Sequence, residues 1–183
     1  MNANAQGESG KLSAAEFRKA MGCFATGVTI ITVDLEGEVH GEVHGLVHGM
    51  TANAFASVSL DPPLVLVCVD RKASTHAHLH ARKRFGINVL GEDQRAISDY
   101  YARPERDHEH AETEAGARFD RTQHGTPVLH GALAYVECRL HSAQVAGDHT
   151  IFIAEVEEVV VGDGAPLLFF RGKYRKVGDD VGK

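Results

Sequence analysis

Hydrophobic and polar positions follow two different periods along this chain. Near the N-terminus, Phe17, Met21 and Phe24 recur at steps of three and four residues, which predicts one helix over residues 14–24 with these side chains on its buried face. Ser13, followed three residues later by Glu16, forms a capping-box pattern at its start. Beyond the helix the period changes, because the β-branched run at residues 28–33 favours a strand.

Strands are predicted over most of the remaining chain. They are expected at residues 49–58, 64–69, 85–89, 132–145 and 150–161. Helices are expected at residues 75–81 and 93–101, with Ser74 or Thr75 available as the N-cap of the first. Because short turns join most strands, the pattern favours a mainly β fold with flanking helices, an antiparallel barrel rather than a parallel sheet.

The chain has the length and composition of one globular domain. It has 183 residues, of which 43% are apolar and 24% are charged. We expect this domain to span residues 12–177, between polar, glycine-containing flexible tails at residues 1–11 and 178–183. The charged, histidine-rich stretch at residues 103–124 is predicted to be a long surface loop.

Charge and hydropathy exclude several classes of protein. The formal net charge of -6 argues against a nucleic-acid partner, because phosphate binding needs clustered cations. No segment approaches the roughly 18 unbroken apolar residues of a membrane span, and no secretory signal is recognised at the N-terminus. The 3 cysteines are far apart and odd in number, which suits a reducing cytoplasm.

The 12 histidines raise the question of a metal site. In the predicted helix at residues 75–81, His76 and His80 share a face while His78 points elsewhere, so only two ligands come together and we predict no metal. Residues 37–48 are three tandem Gly-x-Val-His copies. We interpret this repeat as a lengthened hairpin, with a metal-binding or pH-sensing strip as the alternative.

Small polar residues interrupt one predicted strand at Thr51-Ala52-Asn53-Ala54. Small side chains let the backbone approach a flat heteroaromatic ring and contact its polar edge, although packing against bulky neighbours produces the same pattern. The sequence motifs of α/β-hydrolases, zinc proteases, P-loop proteins and Rossmann dinucleotide-binding proteins do not occur in the sequence. A nicotinamide-dependent enzyme with this sequence would therefore not be a Rossmann protein.

Four blocks of the sequence resemble the short-chain flavin reductase family. They are FRKAMGCFATGVTIIT at residues 17–32, HGMTANAFASVSLDPP at 48–63, GDHTIFIAEV at 147–156 and PLLFFRGKY at 166–174. Together they cover roughly residues 17–177, and they are most similar to the reductase component of two-component phenol 2-monooxygenases. The resemblance implies a split-barrel fold of the FMN-binding type, a homodimer, reduction of FAD or FMN by NADH, and delivery of reduced flavin to a separate flavin-dependent oxygenase.

The resemblance also implies which residues contact the flavin. Met50, Thr51, Ala52 and Asn53 would lie beside the isoalloxazine ring, with Ser57 as an added hydroxyl contact. The flavin phosphate would lie where a strand leads into a helix, a natural anion site, and a further strand would border the flavin. The residues implied there are Cys68, Val69, Lys72, Ala73 and Ser74 for the phosphate corner and Phe85 and Asn88 for the bordering strand.

For the nicotinamide, the resemblance implies the turn after the first helix, a histidine and a closing tyrosine. These correspond to Phe24, Ala25, Thr26 and Gly27, to His149 and to Tyr174. Hydride transfer needs two stacked rings about 3 to 3.5 Å apart, so His149, the one catalytic candidate, would hold the nicotinamide and steady charge on the reduced flavin.

Two features depart from the family pattern. Ala54 replaces a serine of many members, and the Gly-x-Val-His repeat directly precedes the flavin motif. The preference for FAD or FMN is therefore left open, as is NADH over NADPH. The rival hypotheses are a flavoenzyme acting directly on an organic substrate, and a flavin-binding or His-rich metal-binding protein without NADH turnover.

Overall fold

The computed structural model describes residues 12–35, 46–104 and 110–179. The predicted tail at residues 1–11, residues 37–45 of the tandem repeat and residues 180–183 of the predicted C-terminal tail lie outside the described residues. No helix in the described ranges is both long and apolar enough to cross a membrane.

Strands outnumber helices in the described ranges. The helices are α1 (Ala14–Met21), α2 (Ser74–Arg82), α3 (Arg95–Tyr101) and α4 (Ala111–Ala115). The strands are β1 (Thr26–Gly27), β2 (Thr29–Leu35), β3 (Leu46–Ala52), β4 (Phe55–Leu60), β5 (Pro63–Asp70), β6 (Arg84–Val89), β7 (Phe119–Arg121), β8 (Pro127–Leu129), β9 (Ala134–Ala146), β10 (His149–Val161), β11 (Leu168–Phe170) and β12 (Lys173–Arg175).

Seven strands form one antiparallel sheet in the order β3-β2-β6-β9-β10-β5-β4. Its two end strands, β3 and β4, are consecutive in the chain, and only Asn53 and Ala54 lie between them. The sheet therefore curls round a core that includes Ile31, Val67 and Phe152, all with 0% exposure. The prediction of a mainly β fold with flanking helices is confirmed.

A second core lies outside this barrel, beneath α3 and α4. It contains Ile30, Leu90 and Tyr101, with exposures of 0%, 0% and 1%. A small sheet in the order β1-β11-β12 borders it, with Thr26 opposite Phe169. The rim of the barrel thus meets this small sheet and α3 along β3.

Most predicted elements differ from the observed ones by a few residues at their ends, and two predicted segments differ by more. The strand predicted at residues 49–58 is wrong as one element, because the chain leaves β3 after Ala52 and re-enters the sheet as β4. The loop predicted at residues 103–124 contains α4 and β7, since Ala111 and Ala117 are apolar enough to be buried in the second core.

The N-terminal helix is confirmed, although it ends at Met21 rather than at residue 24, and its predicted burial is not confirmed. Ser13 and Glu16 form the predicted capping box, with Ser13 Oγ 3.2 Å from the Glu16 N–H. The predicted buried face is wrong, because Phe17, Met21 and Phe24 are 52%, 55% and 77% exposed.

The predicted N-cap of α2 is also wrong. Ala73 occupies the cap position and offers no side-chain hydrogen bond, while Ser74 and Thr75 already lie inside the helix. The first N–H groups of α2 therefore have no side-chain cap.

Candidate active site

A cleft of about 160 Å³ opens where the rim of the barrel meets the small sheet. Residues from β3, α3, β11 and β12 share its walls. They are Val28, Thr51, Ala52, Asn53, Ser98, Ala102, Phe169 and Tyr174. The sequence-predicted residues Thr51, Ala52, Asn53 and Tyr174 are thus brought together in one cleft.

A hydrogen-bonded chain fixes one wall of the cleft. Thr51 Oγ1 donates to the Ser98 carbonyl at 2.7 Å, and Ser98 Oγ lies 2.8 Å from the Tyr174 hydroxyl. The guanidinium of Arg95 lies 5.3 Å from the centre of the Tyr174 ring. Burial raises the pKa of Tyr174, so its hydroxyl is protonated at neutral pH.

The opposite wall is held by two hydrogen bonds between neighbouring segments. Thr29 Oγ1 donates to the Ala52 carbonyl at 2.7 Å, and Asn53 Nδ2 donates to Thr26 Oγ1 at 3.2 Å. Thr26 belongs to the predicted nicotinamide turn, and Phe24, Ala25 and Gly27 in the same turn are exposed. The structure therefore places the predicted ring-binding strand and the predicted nicotinamide turn side by side.

His149 lies at the start of β10, opposite Asp70 at the end of β5. Its Nδ1 is 2.8 Å from the Asp148 carboxylate, and the hydrogen bond from His149 lowers the pKa of that carboxyl. The His149 side chain is 44% exposed, and its Nε2 makes no hydrogen bond to residues in the described ranges. That nitrogen is available to a ligand.

The corner between β5 and α2 presents backbone N–H groups and exposed polar side chains. Asp70 shapes it, since its carboxylate accepts from the Lys72 N–H at 2.8 Å and its carbonyl accepts from the Ala73 N–H at 3.0 Å. The side chains of Lys72 and Ser74 are exposed beside the uncapped start of α2. Free N–H groups and an ammonium suit an anion such as phosphate.

Several predicted contact residues are not brought to the cleft. Phe85 lies in the barrel core with 0% exposure, and Val69 is 1% exposed. Met50 packs against the same core from β3. Cys68 is half-buried, and burial raises the pKa of its thiol. Ser57 is exposed on the edge strand β4.

Asn88 is likewise enclosed, with 0% exposure. Its amide donates to the Ile30 carbonyl and to Thr32 Oγ1, each at 3.1 Å, and accepts from the Leu129 N–H at 2.7 Å. Because these bonds use its polar atoms, a direct contact from the Asn88 side chain to a surface ligand is not supported. It joins the barrel to β8.

Four residues that line this cleft were not predicted from the sequence: Val28, Ser98, Ala102 and Phe169. Ser98 is the one whose side chain hydrogen-bonds to another residue of the cleft. It lies on α3 with 0% exposure, one residue after Ile97, which is 6% exposed. The sequence feature that could have indicated Ser98 is a hydroxyl on the buried face of a short helix, because a buried polar group needs a hydrogen-bond partner.

The histidines of α2 separate as predicted. The rings of His76 and His80 lie 4.8 Å apart, while the His78 ring lies 4.6 Å from that of His48 on β3. Over residues 12–35, 46–104 and 110–179, no group of three or more potential ligands is placed to hold a metal ion. His76 Nε2 is instead 2.9 Å from Thr150 Oγ1.

The barrel, the cleft and the uncapped helix define a class of protein that holds a flat heteroaromatic nucleotide. One wall of the cleft is flat and partly polar, which fits an isoalloxazine or nicotinamide ring. It is formed by the exposed Asn53, the half-buried Thr51 and Ala52, and the Tyr174 ring.

Residues 21–178 match the family model described as flavin reductase like domain. The chain belongs to this flavin reductase family.

Similar proteins and similar solved structures include members of the same flavin reductase family. The chain is 40% identical over 163 residues to the reductase component of 4-nitrophenol 4-monooxygenase/4-nitrocatechol 2-monooxygenase from Rhodococcus opacus, covering 89% of this chain and 80% of that protein. It is 39% identical over 159 residues to the FMN reductase (NADH) SmoA of Agrobacterium fabrum, covering 86% and 83%. The flavin reductase PheA2 in its native state matches with a TM-score of 0.77 at 40% identity, covering 92% of this chain and 100% of that one.

These findings confirm the predicted family and the split-barrel fold. They also agree with the predicted enzyme class, since relatives are named as NADH-dependent flavin reductases and as reductase components of monooxygenases.

Proposed function

We propose that this chain uses NADH to reduce FAD or FMN and that the reduced flavin serves a separate, flavin-dependent aromatic monooxygenase. The observation that carries the proposal is the cleft in which Thr51, Asn53 and Tyr174 face one space beside Thr26, in a member of the flavin reductase family. The reaction transfers one hydride from the dihydronicotinamide to the isoalloxazine, with one proton from solvent, giving NAD⁺ and reduced flavin.

The protein contributes orientation rather than a general acid or base. Thr29 and Ser98 hold β3 from opposite sides, so the backbone at Thr51 and Ala52 forms a fixed edge. Tyr174, tied to Ser98, closes one side of the cleft. A fixed edge of this kind holds two rings at the short separation that hydride transfer requires.

His149 and the β5–α2 corner complete the proposed site. Within it, Lys72, Ala73 and Ser74 hold the flavin phosphate at the uncapped helix start. His149 offers its free Nε2 to the nicotinamide carboxamide. Phe24 and Ala25 flank the nicotinamide from their exposed turn.

The remaining predicted flavin residues have less direct roles in this proposal. Met50, Cys68 and Val69 support the backbone on which the ring lies, and Ser57 reaches the flavin from the exposed edge strand. Phe85 and Asn88 act through the core behind the cleft.

The proposed working form is a homodimer. Its support is the apolar face of α1, where Phe17 and Met21 are more than half exposed within a single chain. Leu60, 94% exposed on the edge strand β4, adds a second apolar position. A second copy of the chain would cover such surfaces, because contiguous exposed apolar residues commonly mark an interface.

The proposed location is the cytoplasm. Cys23, Cys68 and Cys138 are all free thiols, and Cys23 is exposed. A reducing compartment keeps such thiols free.

The proposed function is tested by following NADH oxidation in air with FAD, with FMN and with no added flavin. We expect turnover only with added flavin, and the flavin with the larger kcat/KM identifies the preferred substrate. Equal rates without added flavin would instead indicate a flavoenzyme that acts directly on another substrate. No oxidation with either flavin would contradict the proposal.

A further inference from the structure

A second cavity, of about 310 Å³, lies at the C-terminal end of α1. It is separate from the cleft described above, and its walls come from α1 and from the turn between β11 and β12. The lining residues are Arg18, Lys19, Gly22, Cys23, Arg171 and Gly172. Three of these six residues carry a positive charge.

The cavity is built by close contact between the helix end and the turn. The Arg171 N–H donates to the Gly22 carbonyl at 2.8 Å, and a Cβ on Gly22 would lie only 3.6 Å from the Arg171 Cα. The guanidinium of Arg171 lies 3.7 Å from Cys23 Sγ and 5.2 Å from the centre of the Phe170 ring. Arg171 is therefore held in place before any ligand arrives.

The three cations have no acidic partner in the described part of the chain. No carboxylate of residues 12–35, 46–104 or 110–179 forms an ion pair with Arg18, Lys19 or Arg171. Glu16 is the one carboxylate of α1, and it accepts a hydrogen bond from the Ser13 N–H at the other end of the helix. Unpaired cations that converge on a cavity favour an anion there.

The cavity is compatible with the proposed dimer. At 100° per residue, Lys19 lies on the side of α1 opposite Phe17 and Met21, whereas Arg18 lies about 60° from Met21, beside the apolar face. A second copy that covers the apolar face would leave Lys19 open and would border Arg18.

The position of the cavity indicates which molecule carries the anionic group. Phe169 and Tyr174 line the cleft, and Arg171 lies in the turn that joins β11 to β12, two residues after Phe169. On the other side, Cys23 precedes Thr26 of the nicotinamide turn by three residues. Both walls of the cavity therefore continue along the chain into walls of the cleft, which favours a nucleotide that has its ring in the cleft as the source of the anion.

We propose that Arg18, Lys19 and Arg171 bind the phosphate groups of the dinucleotide electron donor. This inference rests on the proposed function and names the residues that would anchor NADH outside the hydride-transfer cleft. The flavin phosphate is the other source of the same chemistry, and the experiment separates the two.

The test compares the double variant Arg18→Gln/Lys19→Gln with Arg175→Gln, which removes a cation from the same β-hairpin outside the cavity. Dissociation constants are measured anaerobically by calorimetry for NADH, reduced nicotinamide riboside, FAD and riboflavin. We expect the double variant to bind NADH at least about tenfold more weakly, since hydrogen bonds to charged groups contribute this much. Binding of reduced nicotinamide riboside, which has the same neutral ring but lacks phosphate, should be unchanged in both variants.

The other outcomes are decisive as well. Weaker FAD binding with unchanged NADH binding would assign the cavity to the flavin and overturn the inference. Unchanged binding of both nucleotides, with normal wild-type turnover, would overturn the inference alone. A wild-type chain that neither binds nor oxidises NADH would overturn the proposed function with it. Both substituted side chains are exposed on a capped helix, and a thermal melt verifies that the variants are folded.

Discussion

At the scale of single residues, His149 is positioned to act on a ligand rather than on the fold. Its Nδ1 is engaged by Asp148, its Nε2 has no partner among the described residues, and nearly half of its side chain is exposed. The exposed ring contributes little to packing. Its loss should therefore affect ligand binding more than folding.

We predict that His149→Ala raises KM for NADH about three- to tenfold, because it removes one neutral hydrogen bond to the nucleotide. The flavin dissociation constant should stay near its wild-type value. Steady-state kinetics and a flavin titration measure the two quantities. His141→Ala, at an exposed position on β9, is the matched control and should change neither. An equal loss of NADH and flavin binding would show that His149 has another role.

Ser98 and Tyr174 should behave as one unit. The hydroxyls lie 2.8 Å apart in a largely buried setting, so Ser98→Ala should lower the free energy of unfolding by about 1 kcal/mol and raise KM for NADH. In a double-mutant cycle with Tyr174→Phe, the double variant should lose little more than either single variant. Fully additive losses in denaturant titrations would mean that the two hydroxyls act independently.

The sequence predicted one half of the cleft better than the other. Thr51, Asn53 and Tyr174 belong to recognisable motifs, and all three line it. Ser98 carries no motif, because it acts through the backbone carbonyl and hydroxyl of a helix that is distant in sequence. The contact between Thr51 and Ser98 can be identified only when the packing of β3 against α3 is known.

At the scale of elements, the approach of α3 to β3 positions the cleft. The two elements meet at Gly49, where an added Cβ would lie 2.5 Å from the Tyr101 ring. Tyr101 is 1% exposed and lies in the second core. The hydrogen bond between Thr51 and Ser98 lies two residues further along β3.

We predict that Gly49→Ala destabilises the fold by about 1 to 3 kcal/mol, the usual cost of overpacking a core. Gly27→Ala is the matched control, because its added Cβ would meet no atom within 4 Å. The control should change the free energy of unfolding by less than about 0.5 kcal/mol. Equal stability of both variants in chemical denaturation would show that α3 does not pack on β3 in this way.

Element types were more predictable than element limits. The β-branched run at β2 and the capping box at α1 each specify their structure locally, and both were predicted. The break between β3 and β4 was not, because it depends on a change of partner: Ala52 still pairs with β2, whereas the Ala54 carbonyl accepts from Cys68 on β5. The cap of α2 was also missed, since the chain turns through hydrogen bonds to Asp70 before Ser74 is reached.

At the scale of the whole molecule, the apolar face of α1 is the main discrepancy between pattern and single-chain structure. Periodicity predicts that Phe17 and Met21 are covered, but it does not state by what. Within one described chain they are exposed. The proposed dimer reconciles the pattern with the structure.

We predict that Phe17→Glu/Met21→Glu converts a dimer to a monomer, because burying two carboxylates in an apolar interface is costly. Sedimentation velocity measures the mass directly. Val177→Glu, which changes an exposed apolar residue near the C-terminus, should leave the dimer intact. A wild-type chain that sediments as a monomer, or a double variant that still dimerises, would contradict the assignment of this face.

The proposed function of the whole molecule requires electron transfer from NADH to flavin at this cleft. The most direct measurement is an anaerobic titration of the flavin-loaded protein with NADH, followed by the visible absorbance of the flavin. We predict that one equivalent of NADH bleaches one equivalent of flavin and that admission of air restores the colour. A flavin that stays oxidised in the presence of excess NADH would contradict the account.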